Sequence, residues 1–290
     1  MFINSIKYLV SLLISIYLFT VISKEIYINF NELLIIKEEL FLVILVIILF
    51  VPIFYLLTIK LQYLINHLKN ITFLKSFNAT LIAYSYNLIL PAKAGDFFRY
   101  KHLDLNINFR NFFSINIIEK LISLSVLILL ILLSLLFGTM DIKSVSNIKI
   151  VYVYVVSSIL VFGLFYIICK FGKKKNYNFF KIINLYFFDF TIWIFQFIQI
   201  FIIMIILDIN IGFFDSIFIF GLSILVGLLP ISIGGFGVRD YIILILFQNL
   251  NMDVNMFMVL FLFNLRYLLP IFVSFIFSIF KIYNFKKKKL

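Results

Sequence analysis

The stretch NLILPAKAGDFFR, residues 87–99, interrupts a chain otherwise built from long runs of Ile, Leu and Phe. A short apolar run over 77–90 stops at Pro91, glycine follows at 95, and Asp96 and Arg99 close the segment. Proline removes a backbone donor and does not continue the helical ladder. The following residues, GDFFRYKHLDLNINFRN at 95–111, are too polar to cross a bilayer. Broken backbone at membrane depth survives only where protein or a wet cavity satisfies its exposed groups. The pattern therefore predicts a re-entrant hairpin over 77–111, with two half-length helices and a Pro/Gly tip.

The membrane setting follows from composition. Of 290 residues, 64% are hydrophobic and only 13% charged, too few charges to cover a water-soluble fold of that size. A membrane β-barrel would alternate polarity in segments of about ten residues, and no such alternation is present. The chain reads as an all-α polytopic membrane protein and a single integral membrane domain over 1–290. Six runs are long enough to cross: roughly 3–23, 40–59, 112–137, 150–169, 182–207 and 256–280. A second interruption resembles the first. Residues 215–229 run into Pro230, and 238–250 form another short apolar piece, predicting a hairpin over 215–250.

Charge fixes the expected sidedness. With the N-terminus inside and six crossings, the cytoplasmic segments hold 18 Lys/Arg and the external segments 4. Both termini are then cytoplasmic in a plasma (inner) membrane, and the two hairpins enter from opposite faces. The runs KFGKKK (170–175) and KKKK (286–289) read as anchors facing anionic lipid. This bias accounts for the net charge of +12 without a nucleic-acid partner. The N-terminal run lacks a small-residue cleavage site and reads as a retained span rather than a signal peptide. Cys169 is the lone cysteine, and His67 and His102 fall in different polar stretches. With no paired Cys motif, HExxH or phosphate-binding loop, no metal or cofactor is expected.

The two interruptions, LPAKAGDFFR (90–99) and LPISIGGFGVRD (229–240), share Pro, then Gly four residues on, then Arg. Three crossings separate them, so the second copy is inverted. The halves run over about 40–137 and 182–280. Paired interrupted helices in inverted repeats mark transporter substrate sites near the midplane. A break exposes backbone dipoles, and an adjacent Arg adds positive charge, a combination that favours phosphate.

The candidate substrate-binding residues are Asn87, Pro91, Lys93, Gly95, Asp96, Arg99, Glu119, Gly234, Gly235, Gly237, Arg239, Asp240 and Arg266. Asn87 and Pro91 cap a helix or line a cavity. Asp96 and Arg99 lie three apart on one turn and are placed to pair. Lys93 reaches the lipid surface or the cavity. Glu119 lies about 10 Å into its span and Arg266 about 15 Å into the last one, at 1.5 Å per residue. Glu119, Asp189 and Asp240 balance Lys120, Arg239 and Arg266 as an intramembrane set, for mutual neutralisation or for a substrate or proton. Gly234, Gly235 and Gly237 permit positive φ or close helix packing. Asp189, Trp193, Gln196 and Gln199 share one helical face, read first as interhelical glue and second as a substrate track.

Taken in order, N-x-x-x-P-x-K-x-G-D-x-x-R at 87–99, IIEKLISL at 117–124, PISIGGFGVRD at 230–240 and NLRYLLP at 264–270 resemble the flippase-like membrane domain of the lysylphosphatidylglycerol synthase family. Members usually carry Glu where this chain has Asp96 and Asp240, and often a proline where it has Ile233. The resemblance implies a membrane lipid as partner, with an anionic or polyprenyl-phosphate headgroup, moved between leaflets. It leaves open a homo-oligomer or a lipid-enzyme partner. The full synthases add a soluble aminoacyl-transferase domain, expected to be absent here, so transport is favoured over catalysis. The alternatives are a membrane-embedded glycosyl- or aminoacyl-transferase on a lipid carrier, for which no D-x-D pair is found, or a non-catalytic partner of a lipid-modifying enzyme.

Overall fold

The computed structural model describes residues 38–66, 69–89, 91–103, 109–138, 163, 165–168, 170, 179–228, 237–250 and 254–266. Its regular structure is helical, with no strand among the described residues. Helices α1 (Leu40–Ile48) and α2 (Phe50–Ile65) form one apolar rod interrupted at Leu49. The interruption follows from Pro52, which has no N–H to offer the Ile48 carbonyl. Next come α3 (Phe73–Ile89), a 3-10 helix (Pro91–Phe98) and the single turn α4 (Arg99–His102). Helices α5 (Phe109–Phe137) and α6 (Phe179–Ile206) follow. Three shorter helices complete the order: α7 (Phe213–Gly227), α8 (Val238–Asn249) and α9 (Met256–Arg266).

Three segments are long and apolar enough to span a bilayer: Leu40–Ile65, Asn111–Phe137 and Phe179–Ile206. They answer to the predicted crossings at 40–59, 112–137 and 182–207. The predicted crossing at 3–23 lies outside the described residues, as do most of 150–169 and everything past 266. Exposed Phe41, Val51, Phe137, Phe180 and Phe187 would be liabilities in water but suit acyl chains.

The first interruption is present in the backbone; at the second, α7 ends at Gly227 and α8 begins at Val238, and residues 229–236 lie outside the described residues. The first arm, α3, begins at 73 rather than 77, and its return is a 3-10 helix plus one α turn rather than a half-length α-helix over 95–111. Close packing explains the difference. A Cβ on Gly95 would lie 2.6 Å from the Ala83 carbonyl oxygen and from the Asn87 backbone nitrogen. The 3-10 helix therefore lies directly on α3, and only glycine fits at the contact. At the second interruption α7 and α8 pack on each other, and α7 also packs along α5.

Two apolar cores hold these elements. One centres on fully buried Phe197, Phe220, Phe247 and Phe263, with the Phe220 and Phe263 rings 5.0 Å apart. The other gathers Leu64, Leu103, Phe112 and Ile122. Tyr186 of α6 packs against both and accepts a hydrogen bond from Ser125 Oγ of α5 at 2.8 Å.

Candidate functional site: a chain of buried charges at a helix break

The first break assembles a run of alternating charges. Lys120 Nζ donates to Asp96 Oδ2. Asp96 Oδ1 accepts from Arg99 Nη2 at 2.8 Å and from Asn87 Nδ2 at 3.2 Å. Arg99 Nη1 reaches Glu119 Oε2 at 3.0 Å and Oε1 at 3.3 Å. Glu119 Oε1 also faces Lys60 Nζ at 3.3 Å. Lys60 in turn donates to Asp189 Oδ1 at 2.9 Å. The order is Lys120, Asp96, Arg99, Glu119, Lys60, Asp189. Every interior member has an opposite charge on either side.

Four parts of the fold supply this chain. The 3-10 helix and α4 carry Asp96 and Arg99 three residues apart, the spacing that brings side chains together on one turn. Helix α5 gives Glu119 and Lys120, α2 gives Lys60, and α6 gives Asp189. Gly95 seats the turn against α3, so that Asn87 reaches Asp96. Burial is deep: Lys60 is 3% exposed, Arg99 4% and Asp189 2%. Isolated charges so placed would be costly, and alternation lets each offset its neighbours. Lys120 differs, with its side chain 38% exposed.

The second break builds a related group. Gly237 has φ of 86° and caps α8. Its N–H donates to Asp240 Oδ2 at 3.1 Å, one arm of a capping box. Asp240 Oδ1 accepts from Asn264 Nδ2 at 3.2 Å and lies 3.6 Å from Arg239 Nε. Arg239 Nη2 donates to Asn264 Oδ1. The guanidinium groups of Arg239 and Arg266 lie 4.6 and 4.9 Å from the centroid of the same ring, Phe263, a favourable arrangement with an aromatic face. Arg266 Nη1 also donates to the Gln196 carbonyl at 2.8 Å. Asn, Asp and Arg thus interlock at both breaks, through Asn87, Asp96 and Arg99 at one and Asn264, Asp240 and Arg239 at the other.

Among the sequence-derived candidates, the first group unites Asn87, Gly95, Asp96, Arg99 and Glu119, and the second unites Gly237, Arg239, Asp240 and Arg266. Gly234 and Gly235 lie outside the described residues, as do the side chains of Pro91 and Lys93. The expected neutralising set needs correction. Lys120 pairs with Asp96, which that set omitted, and Glu119 and Asp189 share Lys60. A crossing that ends at 59 places Lys60 in the cytoplasmic segment that follows. The helix continues to Ile65 and buries it. The signal was in TIKLQYLI, where apolar spacing persists beyond the lysine. The polar face of α6 proves to be interhelical: Asp189 binds Lys60, Trp193 Nε1 donates to the Ser123 carbonyl at 3.2 Å, and Gln199 Nε2 to the Val46 carbonyl at 2.7 Å.

Long apolar helices around a buried, charge-paired helix break define a polytopic helical membrane protein. The family model described as lysylphosphatidylglycerol synthase TM region matches residues 8–274. The chain belongs to this family, and so to membrane proteins related to lipid modification or flipping. No curated protein gives a significant match.

Proposed function

We propose that this protein moves a lipid with an anionic phosphate headgroup between the leaflets of the plasma membrane, with both termini cytoplasmic. The lipid is a phospholipid or a polyprenyl-phosphate-linked carrier. The observation that carries this reading is Arg99. It is 4% exposed at a helix break, its Nη atoms are held by two carboxylates, and its Nε has no hydrogen-bond partner among the described residues. Asp96 and Glu119 keep the guanidinium neutralised while no lipid is present. A phosphate competes for the same donors, because its oxygens match the guanidinium fork. Arg239 and Arg266 offer comparable groups at the second break. The headgroup passes through polar surroundings while the tails stay in lipid, and the two broken elements alternate as gates.

The test is reconstitution of purified protein in liposomes carrying leaflet-labelled phospholipid or prenyl-phosphate. Wild type exchanges label between leaflets, and Arg99→Ala and Arg239→Ala abolish the exchange. Absence of movement for every lipid, together with group transfer from a nucleotide sugar, replaces transport with catalysis. Single cysteines at positions 93 and 235, in a Cys169→Ser background, label from opposite faces under the inverted arrangement.

A further inference from the structure

The chain of six charges has two unlike ends. Lys120 is partly exposed, whereas Asp189 is sealed. Asp189 Oδ1 receives Lys60, but its Oδ2 is fully buried and receives no hydrogen bond among the described residues. The other two acids differ. Asp96 has a donor on each oxygen, and Glu119 has Arg99 on both oxygens and Lys60 beside Oε1. Asp189 alone of the three has an oxygen with no donor among the described residues, where a proton meets no competing hydrogen.

Charge counting supplies the reason for a proton. Lys60, Arg99 and Lys120 balance Asp96, Glu119 and Asp189. A singly charged phosphodiester added at the Lys120 and Arg99 end leaves a buried excess of negative charge, and low-dielectric surroundings penalise that excess. The geometry provides a relay to relieve it. Phosphate draws Arg99 from Glu119. Glu119 keeps Lys60, already 3.3 Å away. Lys60 shifts toward Glu119 and leaves Asp189, which then becomes neutral by binding a proton.

We propose that Asp189 is a proton-binding site and that one proton binds there with each anionic headgroup, so that lipid and proton cross together. The proton comes from water on the loading side and is released when the headgroup leaves. The proposal rests on the reading of Arg99 as the headgroup donor. The charged groups acting on Asp189 are Lys60 from α2 and Glu119 and Lys120 from α5. Helix α1 carries no charged residue, and Asp215 of α7 lies beside Gly138 at the end of α5.

The sign is fixed by linkage. A proton taken up with the lipid makes binding tighter as pH falls, by about tenfold per pH unit between the free and lipid-bound midpoints. The experiment is calorimetric titration of the purified full chain with dihexanoyl-phosphatidylglycerol in two buffers of unlike ionisation enthalpy. Wild type takes up about one proton per lipid. Asp189→Asn, a neutral mimic of the protonated acid, takes up none and binds with an affinity independent of pH. Asp189→Glu retains a carboxyl group and retains the uptake, which guards against a variant that fails to fold. Binding to wild type without proton uptake overturns the coupling alone. Uptake that persists in Asp189→Asn overturns the assignment to Asp189. No binding of this lipid or of a short-chain prenyl phosphate, or undiminished binding by Arg99→Gln, overturns the headgroup reading and takes the proton pairing with it.

Discussion

Removing the terminal pair of the charge chain is the sharpest test of whether its members depend on one another. Lys60→Met leaves Asp189, 2% exposed, without the cation that donates to it at 2.9 Å. Breaking a buried pair in this way costs about 3–5 kcal/mol, because the remaining carboxylate must stay charged and desolvated or take up a proton. Asp189→Leu strands Lys60 on one carboxylate and carries a similar cost. The double variant is different. It leaves Lys120, Asp96, Arg99 and Glu119, two cations and two acids in unbroken alternation, and fills the vacated volume with apolar atoms. Such replacement is nearly neutral, within about 1 kcal/mol. The coupling energy is then at least about 5 kcal/mol, more than about three decades in the unfolding constant at about 1.4 kcal/mol per decade. Equilibrium unfolding by SDS in mixed micelles reads it, followed by fluorescence of the single tryptophan. Trp193 is buried one helical turn from Asp189 and bonded to Ser123 of α5, so its emission reports separation of α5 from α6. Additive costs, with the double variant as unstable as the two singles summed, would refute the chain as a cooperative unit.

Three further outcomes follow from local geometry. Gly95→Ala places a methyl 2.6 Å from backbone atoms of α3; overpacking of this kind costs about 1–3 kcal/mol, read in the same unfolding assay, and leaflet exchange falls as Asn87 loses its reach to Asp96. Gly237→Ala puts a side chain at φ of 86°, where L-residues are disfavoured by about 1–2 kcal/mol; the expected result is lower stability, with a smaller loss on substitution of Gly227, whose added Cβ meets only side-chain carbons of Arg239 at 3.2 Å and beyond. Gln199→Leu deprives the Val46 carbonyl of its 2.7 Å donor beside the Leu49 interruption. A buried group left unsatisfied costs about 1–3 kcal/mol, and amide exchange in α1 and α2 accelerates accordingly.

Much of the backbone could be read from the chain because bilayer and proline physics are local. Pro91 ends α3 within two residues of the apolar run's predicted stop, and the long apolar runs become α5 and α6 with little change. The pairing of Asp96 with Arg99 was equally legible, since three-residue spacing on one turn requires no knowledge of the rest of the fold. Lys60 was not. A lysine after an apolar run has the appearance of an interfacial anchor, and its partner Asp189 lies 129 residues away. Their meeting depends on how α2 and α6 are set against each other, which side-chain packing decides and periodicity does not. Gly95 was visible as part of a break, but its close approach to Ala83 and Asn87 required the turn to be folded back on α3.

The two breaks use one chemical device under different electrostatic loads. At each, an asparagine amide donates to the aspartate that faces the arginine, so the carboxylate is oriented by a neutral donor as well as by a cation. Under the proposed function the arginine exchanges one set of acceptors for another, and the remaining donors then matter. An arginine that turns to phosphate takes one donor from its aspartate, and burial makes such a loss expensive. Under the proposed exchange, Asn87 and Lys120 would stay on Asp96, and Asn264 and the Gly237 N–H on Asp240, while the guanidinium turns away. Elsewhere the loads diverge. Arg99 sits inside a run of alternating ions that can pass a displacement along to Lys60 and Asp189, whereas Arg239 and Arg266 both lie by the face of Phe263. An aromatic face attracts cations without taking up protons. Under the proposed coupling the proton goes to the first break, where Asp189 ends the run of ions, and the ring at the second break attracts its two arginines.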